Sequence, residues 1–349
     1  MGADGDILYE RRGRAAVVTL NRPDTLIAVT LDMIRRLDAI LDEAEADPAV
    51  AHVIVRAAGE RAFAAGGDIR ALYDWGRAGR PELFGFFREE YRLNARIKRF
   101  PKPYVAVIHG IVMGGGAGIS IHGSHRVVTE RVAFAMPEVG IGFVPDIGGS
   151  HFLGLMPGRA GLYLGLTGTR IGAADMLWAG LATHVVAHDR REKVVRALAE
   201  ADSLDAALRD LATDPGPSRL AAEREAIDSL FARDSVEEIL LAAESGPGPA
   251  GDLARNVAAA LRTHCPTSLK ATRRLLALGE GQALETCLVN EFRVVSLMVQ
   301  RPDFYEGVRA AVIDKDRNPQ WRPARLEEVS ESDIDALFQP AWLGDVVFA

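Results

Sequence analysis

Tyr104-Val105-Ala106-Val107-Ile108-His109-Gly110-Ile111-Val112-Met113-Gly114-Gly115-Gly116-Ala117-Gly118 carries the first architectural signal in this chain. Its opening five residues form an apolar run of strand length. His109-Gly110 then leads into the Gly114–Gly116 run, and a helix is predicted from Ala117 to His122. A strand that enters a helix through bare backbone is a unit of an α/β protein.

Upstream, Ala15–Leu20 reads as a strand, preceded by a hairpin turn at Arg11-Arg12-Gly13-Arg14. Pro23 ends that strand because it cannot donate to a ladder. Thr30 is a helix N-cap. Leu31, Ile34, Leu37, Ile40 and Leu41 follow at helical spacing up to Ala46. Val50–Val55 is a further buried strand, so strand, helix and strand succeed one another as in a βαβ unit with a largely parallel sheet. A helix start is predicted at Asp68–Tyr73 and a long helix from Pro81 to Lys98, ended by Pro101 and Pro103.

Downstream, short strands are predicted at Arg126–Thr129, Ala133–Met136 and Ala182–Val186. Helices are predicted from Gly148, through Leu162–Leu166, and at Gly172–Ala179. From Asp189 to about Asn256 the β-branched runs disappear. Surface helices are expected there, broken at Pro215-Gly216-Pro217 and Gly246-Pro247-Gly248-Pro249. A helical stretch covers Pro266–Gln300, and Val308–Ile313 reads as strand-like. The domain expectation is an active core over 1–188, then a helical insert and C-terminal helical region with a tail over 189–349.

The 349 residues carry a net charge of −7, which disfavours nucleic acid or an anionic membrane as a bulk-charge partner. Met1–Leu8 has no apolar run and no stretch is long enough to span a bilayer, so no signal peptide and no membrane span are expected. Cys265 and Cys287 have no metal-type spacing. They read as buried, inert thiols in a reducing setting, and a cytoplasmic location is the expectation.

The glycine run has two readings. Taken alone, three glycines mark a tight turn more often than a site. Here a second small-residue loop, Ala64-Ala65-Gly66-Gly67, also follows a strand. Two such loops on neighbouring strands can each give one N–H to the same oxygen, which makes an oxyanion hole. No GK[ST] follows the run, so it is not a Walker phosphate loop. Glu138, in Met136-Pro137-Glu138-Val139-Gly140, and Asp146, in Phe143-Val144-Pro145-Asp146-Ile147-Gly148-Gly149, both sit among apolar residues. Each reads as a cap, a salt-bridged carboxylate or a catalytic group with its pKa raised by desolvation. His109 reads as a packed or hydrogen-bonded histidine. His122, His125 and His151 share no ligand spacing, so no metal is expected. Ser120 lies outside a GxSxG elbow, which argues against a serine triad.

On Phe63–Ile69, Gly110–Gly118 and Met136–Gly149, with Asn21-Arg22-Pro23 through Thr30, the chain resembles the crotonase (enoyl-CoA hydratase/isomerase) superfamily. Phe143–Gly149, Gly165-Leu166-Thr167-Gly168, Pro266–Lys270, Phe304–Ala310, Ile313–Asp316 and Asn318-Pro319-Gln320-Trp321 are similar to its 3-hydroxyisobutyryl-CoA hydrolase branch. The resemblance implies a crotonase-type ββα spiral core with a C-terminal helical region. It implies oxyanion N–H groups from Gly67 and Gly115, and catalytic roles for Glu138 and Asp146. Leu26, Ala28, Ala64, Ala65, Asp68 and Gly114 would meet substrate or coenzyme A, and Lys315 a coenzyme A phosphate.

The implied activity is hydrolysis of a short branched 3-hydroxyacyl-CoA thioester, as in valine degradation. No cofactor is needed beyond the coenzyme A of the substrate. Family members form trimers or trimer pairs, so a homo-oligomer is expected. Three positions depart from the patterns: Gly118 where hydratases carry a second glutamate, Ile27 where the opening loop carries Asn, and Ser150 where a third Gly is common. Two alternatives stand: an enoyl-CoA hydratase or double-bond isomerase, against which Gly118 speaks in its hydratase form, and a non-catalytic coenzyme A-ester binding protein.

Overall fold

The structure, a computed structural model, describes residues 5–245 and 251–348. The predicted break at Gly246-Pro247-Gly248-Pro249 lies outside the described residues. The chain forms two compact units. One comprises the chain up to Asp68, Glu89–Phe134 and Ile171–Arg219; the other comprises Ile69–Arg88, Ala135–Arg170 and the chain from Leu220 onward.

The first unit is built on strands. In chain order the strands are β1 (Ile7–Arg12), β2 (Ala15–Leu20), β3 (His52–Ala57), β4 (Ala62–Ala64), β5 (Tyr104–Ile108), β6 (Ile111–Met113), β7 (His125–Thr129), β8 (Ala133–Ala135) and β9 (His184–Val186). Six of them form a sheet in the order β1-β2-β3-β5-β7-β9, and β4-β6-β8 form a smaller one. Only β1 is antiparallel in the larger sheet, paired to β2 through the turn at Gly13. The pairs β2–β3, β3–β5, β5–β7 and β7–β9 are parallel. Parallel strands are covered on both faces, and β2 and β5 are accordingly buried along their whole length. Val17, Ile54, Val105 and Val127 meet Val194 and Leu198 in the core of this unit.

Helix Leu31–Ala46 links β2 to β3. Its N-cap is Thr30, whose hydroxyl accepts the Met33 N–H at 3.2 Å, and its buried stripe is the predicted one. The second unit is helical. Its longest helices include Arg219–Phe231, Gly251–Thr263, Pro266–Gly279 and Leu284–Met298. Cys265 and Cys287 are both free and buried, and burial pushes their thiols up to about 12 and about 11.

Two local expectations change. The helix after the glycine run starts at Gly115, not Ala117, and spans only Gly115–Gly118. Val308–Ile313 is not a strand: helix Pro302–Val308 runs into a π-turn at Arg309–Ile313. Arg309 holds Glu306 one turn back at 2.8–2.9 Å, an i, i+3 pair that a helix supports and a strand does not. Phe304, Val308 and Ala310 turn inward from this segment.

Candidate active site

In the first unit, β4 and β6 are parallel neighbours, with Ala62 opposite Ile111 and Ala64 opposite Val112. Each ends at one of the two small-residue loops, so both loops leave the same edge of one sheet. The residue after β6, Gly114, has φ 44 and ψ −126, a backbone that side chains rarely adopt, and it hands the chain to helix Gly115–Gly118. There the Ala117 and Gly118 N–H groups donate to the Gly114 carbonyl at 2.7 and 3.2 Å. The Gly115 and Gly116 N–H groups precede the first donors of the turn.

Gly67 forms an isolated parallel bridge with Val29. The bonds of that bridge run from Val29 N–H to Gly66 C=O at 2.9 Å and from Asp68 N–H to Val29 C=O at 2.8 Å. A residue bracketed in this way turns its own N–H away from the bridge partner. The Gly67 nitrogen faces the other loop: a methyl group on Gly115 would lie 3.3 Å from it. The same methyl group would strike Glu90 Oε1. Gly116 must also lack a side chain, since its Cβ would fall 2.8 Å from Ala64 Cβ and 2.9 Å from Ala64 C. Gly67, Gly114, Gly115 and Ala64 are therefore brought together, with the buried Glu90 beside them.

The opening loop is tied to the same region. Leu26 and Ile27 both have φ 55. The Ala65 N–H donates to Leu26 C=O at 3.0 Å. Arg22 Nη1 donates to Ala28 C=O at 2.5 Å and to Asp68 Oδ2 at 3.2 Å. Leu26, Ala28, Ala65 and Asp68 thus form one connected loop pair, with Arg22 as its clamp. His109 is hydrogen-bonded, its Nε2 3.0 Å from Gly59 O.

In the second unit, Glu138 opens a 3-10 turn, Glu138–Ile141, closed by Gly142 at φ 71. The Phe143 N–H bonds back to Glu138 C=O at 3.1 Å, and the Cys265 N–H holds Val139 C=O at 3.1 Å. The Glu138 side chain is 6% exposed, and its Oε2 is buried with no hydrogen-bond partner. Burial pushes this carboxyl well above the usual range, and the Asp146 charge adds to the rise. Asp146 is itself buried, at 4% exposure. It is followed by Ile147 at φ 55 and Gly148 at φ 83, and its carbonyl accepts the Gly149 N–H at 2.7 Å.

A third carboxylate, Glu291 on helix Leu284–Met298, is fully buried. Its Oε2 accepts the Gly148 N–H at 2.7 Å; its Oε1 accepts the Ser150 N–H at 2.8 Å and Ser150 Oγ at 2.5 Å. The hydroxyl of Ser150, which stands where a third glycine is common, thus has a definite partner. Lys315 lies on an exposed turn with φ 60, its neighbours Asp314 and Asp316 held by Arg309 at 2.7 and 2.6 Å.

Arg22, Glu90 and Glu291 were not singled out from sequence as functional residues. For the two glutamates a signal exists. Glu90 shares the buried stripe of Phe86, Phe87, Tyr91 and Asn94, and Glu291 that of Cys287, Leu288, Val294 and Val295. An acid on an apolar helix stripe requires partners or a function.

Residues 15–338 match the family profile described as enoyl-CoA hydratase/isomerase. A protein named 3-hydroxyisobutyryl-CoA hydrolase, mitochondrial, from Danio rerio is 43% identical over 346 residues, 96% of this chain and 90% of that one. The Homo sapiens protein of that name is 40% identical over 353 residues, 98% of this chain and 91% of its own. Among solved structures, one titled as a carnitinyl-CoA dehydratase from Mycobacterium thermoresistibile superposes with TM-score 0.94 at 40% identity, covering 99% of each chain. Another, titled as an enoyl-CoA hydratase from Rhodobacter sphaeroides 2.4.1, gives 0.90 at 38% identity over 99% of this chain and 100% of that one. The relatives named as hydrolases are named mitochondrial, which overturns the cytoplasmic expectation. Free thiols report a reducing setting, not which reducing compartment.

Proposed function

Because this chain belongs to the enoyl-CoA hydratase/isomerase family, we propose that it hydrolyses a short branched 3-hydroxyacyl-CoA, 3-hydroxyisobutyryl-CoA in the first instance, to the free hydroxy acid and coenzyme A. The observation that carries the reading is Glu138: a buried carboxylate oxygen without a hydrogen-bond partner, on a turn anchored from both sides. A buried carboxylate oxygen left without a donor is costly and is a candidate for a reactive group. The relatives' names point to the same substrate, and this reaction belongs to valine degradation.

In this reading the Gly67 and Gly115 N–H groups stabilise the oxyanion that develops on the thioester carbonyl. Glu138, made more basic by burial, attacks the carbonyl carbon or removes a proton from the attacking water. The C–S bond breaks and coenzyme A leaves as its thiolate, which takes its proton from the water that Glu138 deprotonates or, where Glu138 attacks, from the water that later opens the anhydride. Where Glu138 attacks, the resulting anhydride takes up one water, and the atoms balance without metal or redox cofactor. Asp146 holds the substrate hydroxyl or the water. Leu26, Ala28, Ala64, Ala65, Asp68 and Gly114 line the acyl-CoA path, and Lys315 serves a coenzyme A phosphate. All of these except Lys315 fall within 1–188, the stretch assigned the chemistry, with 189–349 as helical support. Assembly into a trimer or trimer pair is part of the same reading and is checked by light scattering.

The second reading is hydration or isomerisation of an enoyl-CoA, favoured by the titles of the two similar structures. Gly118 argues against hydration, because that position offers no second carboxylate. The test is thiol release followed with a disulfide dye on 3-hydroxyisobutyryl-CoA and other acyl-CoAs, beside an absorbance scan with a 2-enoyl-CoA. Thiol release that Glu138→Gln abolishes and Asp146→Ala lowers sharply supports the hydrolase. Loss of enoyl absorbance without thiol release replaces it with the hydratase, and tight binding with neither reaction leaves a coenzyme A-ester binding protein.

A further inference from the structure

Glu291 is an ionisable side chain of the helical unit that the chemistry above does not use. It is 0% exposed, on helix Leu284–Met298, 145 positions after Asp146 in the chain. Its two oxygens receive three donors, all from one five-residue turn: Gly148 N–H at 2.7 Å, Ser150 N–H at 2.8 Å and Ser150 Oγ at 2.5 Å. That turn begins at Asp146.

The turn needs holding. Ile147 has φ 55, a left-handed backbone that a β-branched side chain resists, and Gly148 follows at φ 83. Strain of this kind persists only where the surroundings over-determine it. The Gly149 N–H to Asp146 C=O bond at 2.7 Å closes the turn on one side. Glu291 fixes it on the other by gripping the residues before and after Gly149. Asp146 is one residue from the strained position, so its carboxylate direction depends on that grip.

We propose that Glu291 is the positioning residue for Asp146: it locks the Asp146–Ser150 turn in its strained form and so aims the Asp146 carboxylate for turnover. Ser150 belongs to the same device, since its hydroxyl supplies the third donor. This inference rests on the role given to Asp146 above. The groups that face Glu291 are Asp146, Ser150 and the Cys287 thiol on its own helix. Helix Pro266–Gly279, packed nearby, presents Gly279 against Ser150, where a Cβ would fall 3.1 Å from the Ser150 Cβ. No side chain larger than hydrogen fits there without displacing the turn.

The test is a double-mutant cycle on thiol release with 3-hydroxyisobutyryl-CoA, using Glu291→Gln and Asp146→Asn. Gln keeps the shape but replaces one acceptor oxygen by an NH2 group, which meets a donor of the turn. If Glu291 acts through Asp146, Glu291→Gln lowers kcat by about tenfold or more with KM within about threefold, and lowers it by less than about twofold once Asp146 is Asn. The same loss on both backgrounds, or no loss on either, overturns the proposal. Should Glu291→Gln not fold, Ser150→Ala removes one donor and keeps both backbone bonds. The cycle then runs with an expected loss of about two- to fivefold that vanishes on the Asp146→Asn background; an additive loss again overturns it. If Asp146→Asn alone keeps full turnover, the role of Asp146 fails instead. Full turnover in Asp146→Asn with a tenfold loss in Glu291→Gln also overturns the proposal, since Glu291 then acts elsewhere.

Discussion

Replacing Gly116 by Ala tests the oxyanion geometry without touching a donor. The new Cβ would sit 2.8 Å from Ala64 Cβ and 2.9 Å from Ala64 C, with the Ala64 carbonyl oxygen closer still. Carbon pairs rest at about 3.5–4.0 Å, so the two loops must part by close to 1 Å. Ala64 starts the loop that ends in Gly67, and Gly116 follows Gly115, so that displacement enters directly between the paired N–H groups. A misplacement of about 1 Å in a catalytic constellation costs about 10²-fold in rate, near the loss of one oxyanion donor. Stability changes less. Overpacking costs about 1–3 kcal/mol, and Ala regains up to about 1 kcal/mol over Gly inside a helix. The expected result is a kcat lowered by about 10²-fold with a thermal midpoint down by only a few degrees. Gly85→Ala in helix Glu82–Arg99 is the control, because nothing lies within 4 Å of its Cβ. Its kcat is expected to stay unchanged. If Gly116→Ala keeps kcat within about threefold of the parent, the paired N–H groups do not carry the chemistry.

Glu138→Gln is expected to lower thiol release by at least about 10³-fold while coenzyme A still binds, read by calorimetry; unchanged turnover would remove Glu138 from the mechanism. Arg22→Ala removes the Nη1 bonds to the Ala28 carbonyl and the Asp68 carboxylate, so KM for acyl-CoA should rise several-fold with kcat altered less, and an unchanged KM would show that the clamp is not needed. Glu291 gives a pH signature. Burial raises its carboxyl from 4.5 to about 8, so between those values the folded state holds a proton that the unfolded state has lost. Its contribution to stability is therefore full below about 4.5 and falls as pH rises towards about 8. In denaturant titrations across that window, Glu291→Gln should remove a slope equivalent to about one proton; superimposable slopes for the two proteins would contradict the shift.

The sheet and most helices were legible because their patterns are local. Ala15–Leu20 and Tyr104–Ile108 are apolar runs of strand length, and Leu31–Ala46 repeats at 3.6 residues behind a threonine cap. The segment Val308–Ile313 was misread as a strand because an apolar run has no visible period. What decides it is the inward packing of Phe304 and Val308, a tertiary fact, beside the local i, i+3 pair of Arg309 and Glu306. The two small-residue loops were legible as pieces, and the β4–β6 register puts them at one sheet edge. Arg22 was hidden because its partners, a carbonyl and two carboxylates, lie up to 46 positions away. Glu90 and Glu291 were hidden because one acid hardly disturbs an amphipathic helix pattern, although its position on the buried stripe is the clue.

Glu138 and Glu291 are buried in the same helical unit, and burial raises both carboxyls, yet their surroundings differ in kind. Every oxygen of Glu291 is met by donors at 2.5–2.8 Å, whereas Glu138 Oε2 meets none. The first arrangement resists movement and suits a scaffold; the second keeps a lone pair free and suits a base or nucleophile. Asp146 is coupled to both, raising each through its charge. Gly118 is fully enclosed in a four-residue helix of Gly and Ala. That position, where the family resemblance expects a hydratase's second glutamate, carries no acid. The proposed hydrolysis therefore draws its acids from Glu138 and Asp146, the latter on the strained turn whose Gly148 and Ser150 N–H groups Glu291 holds.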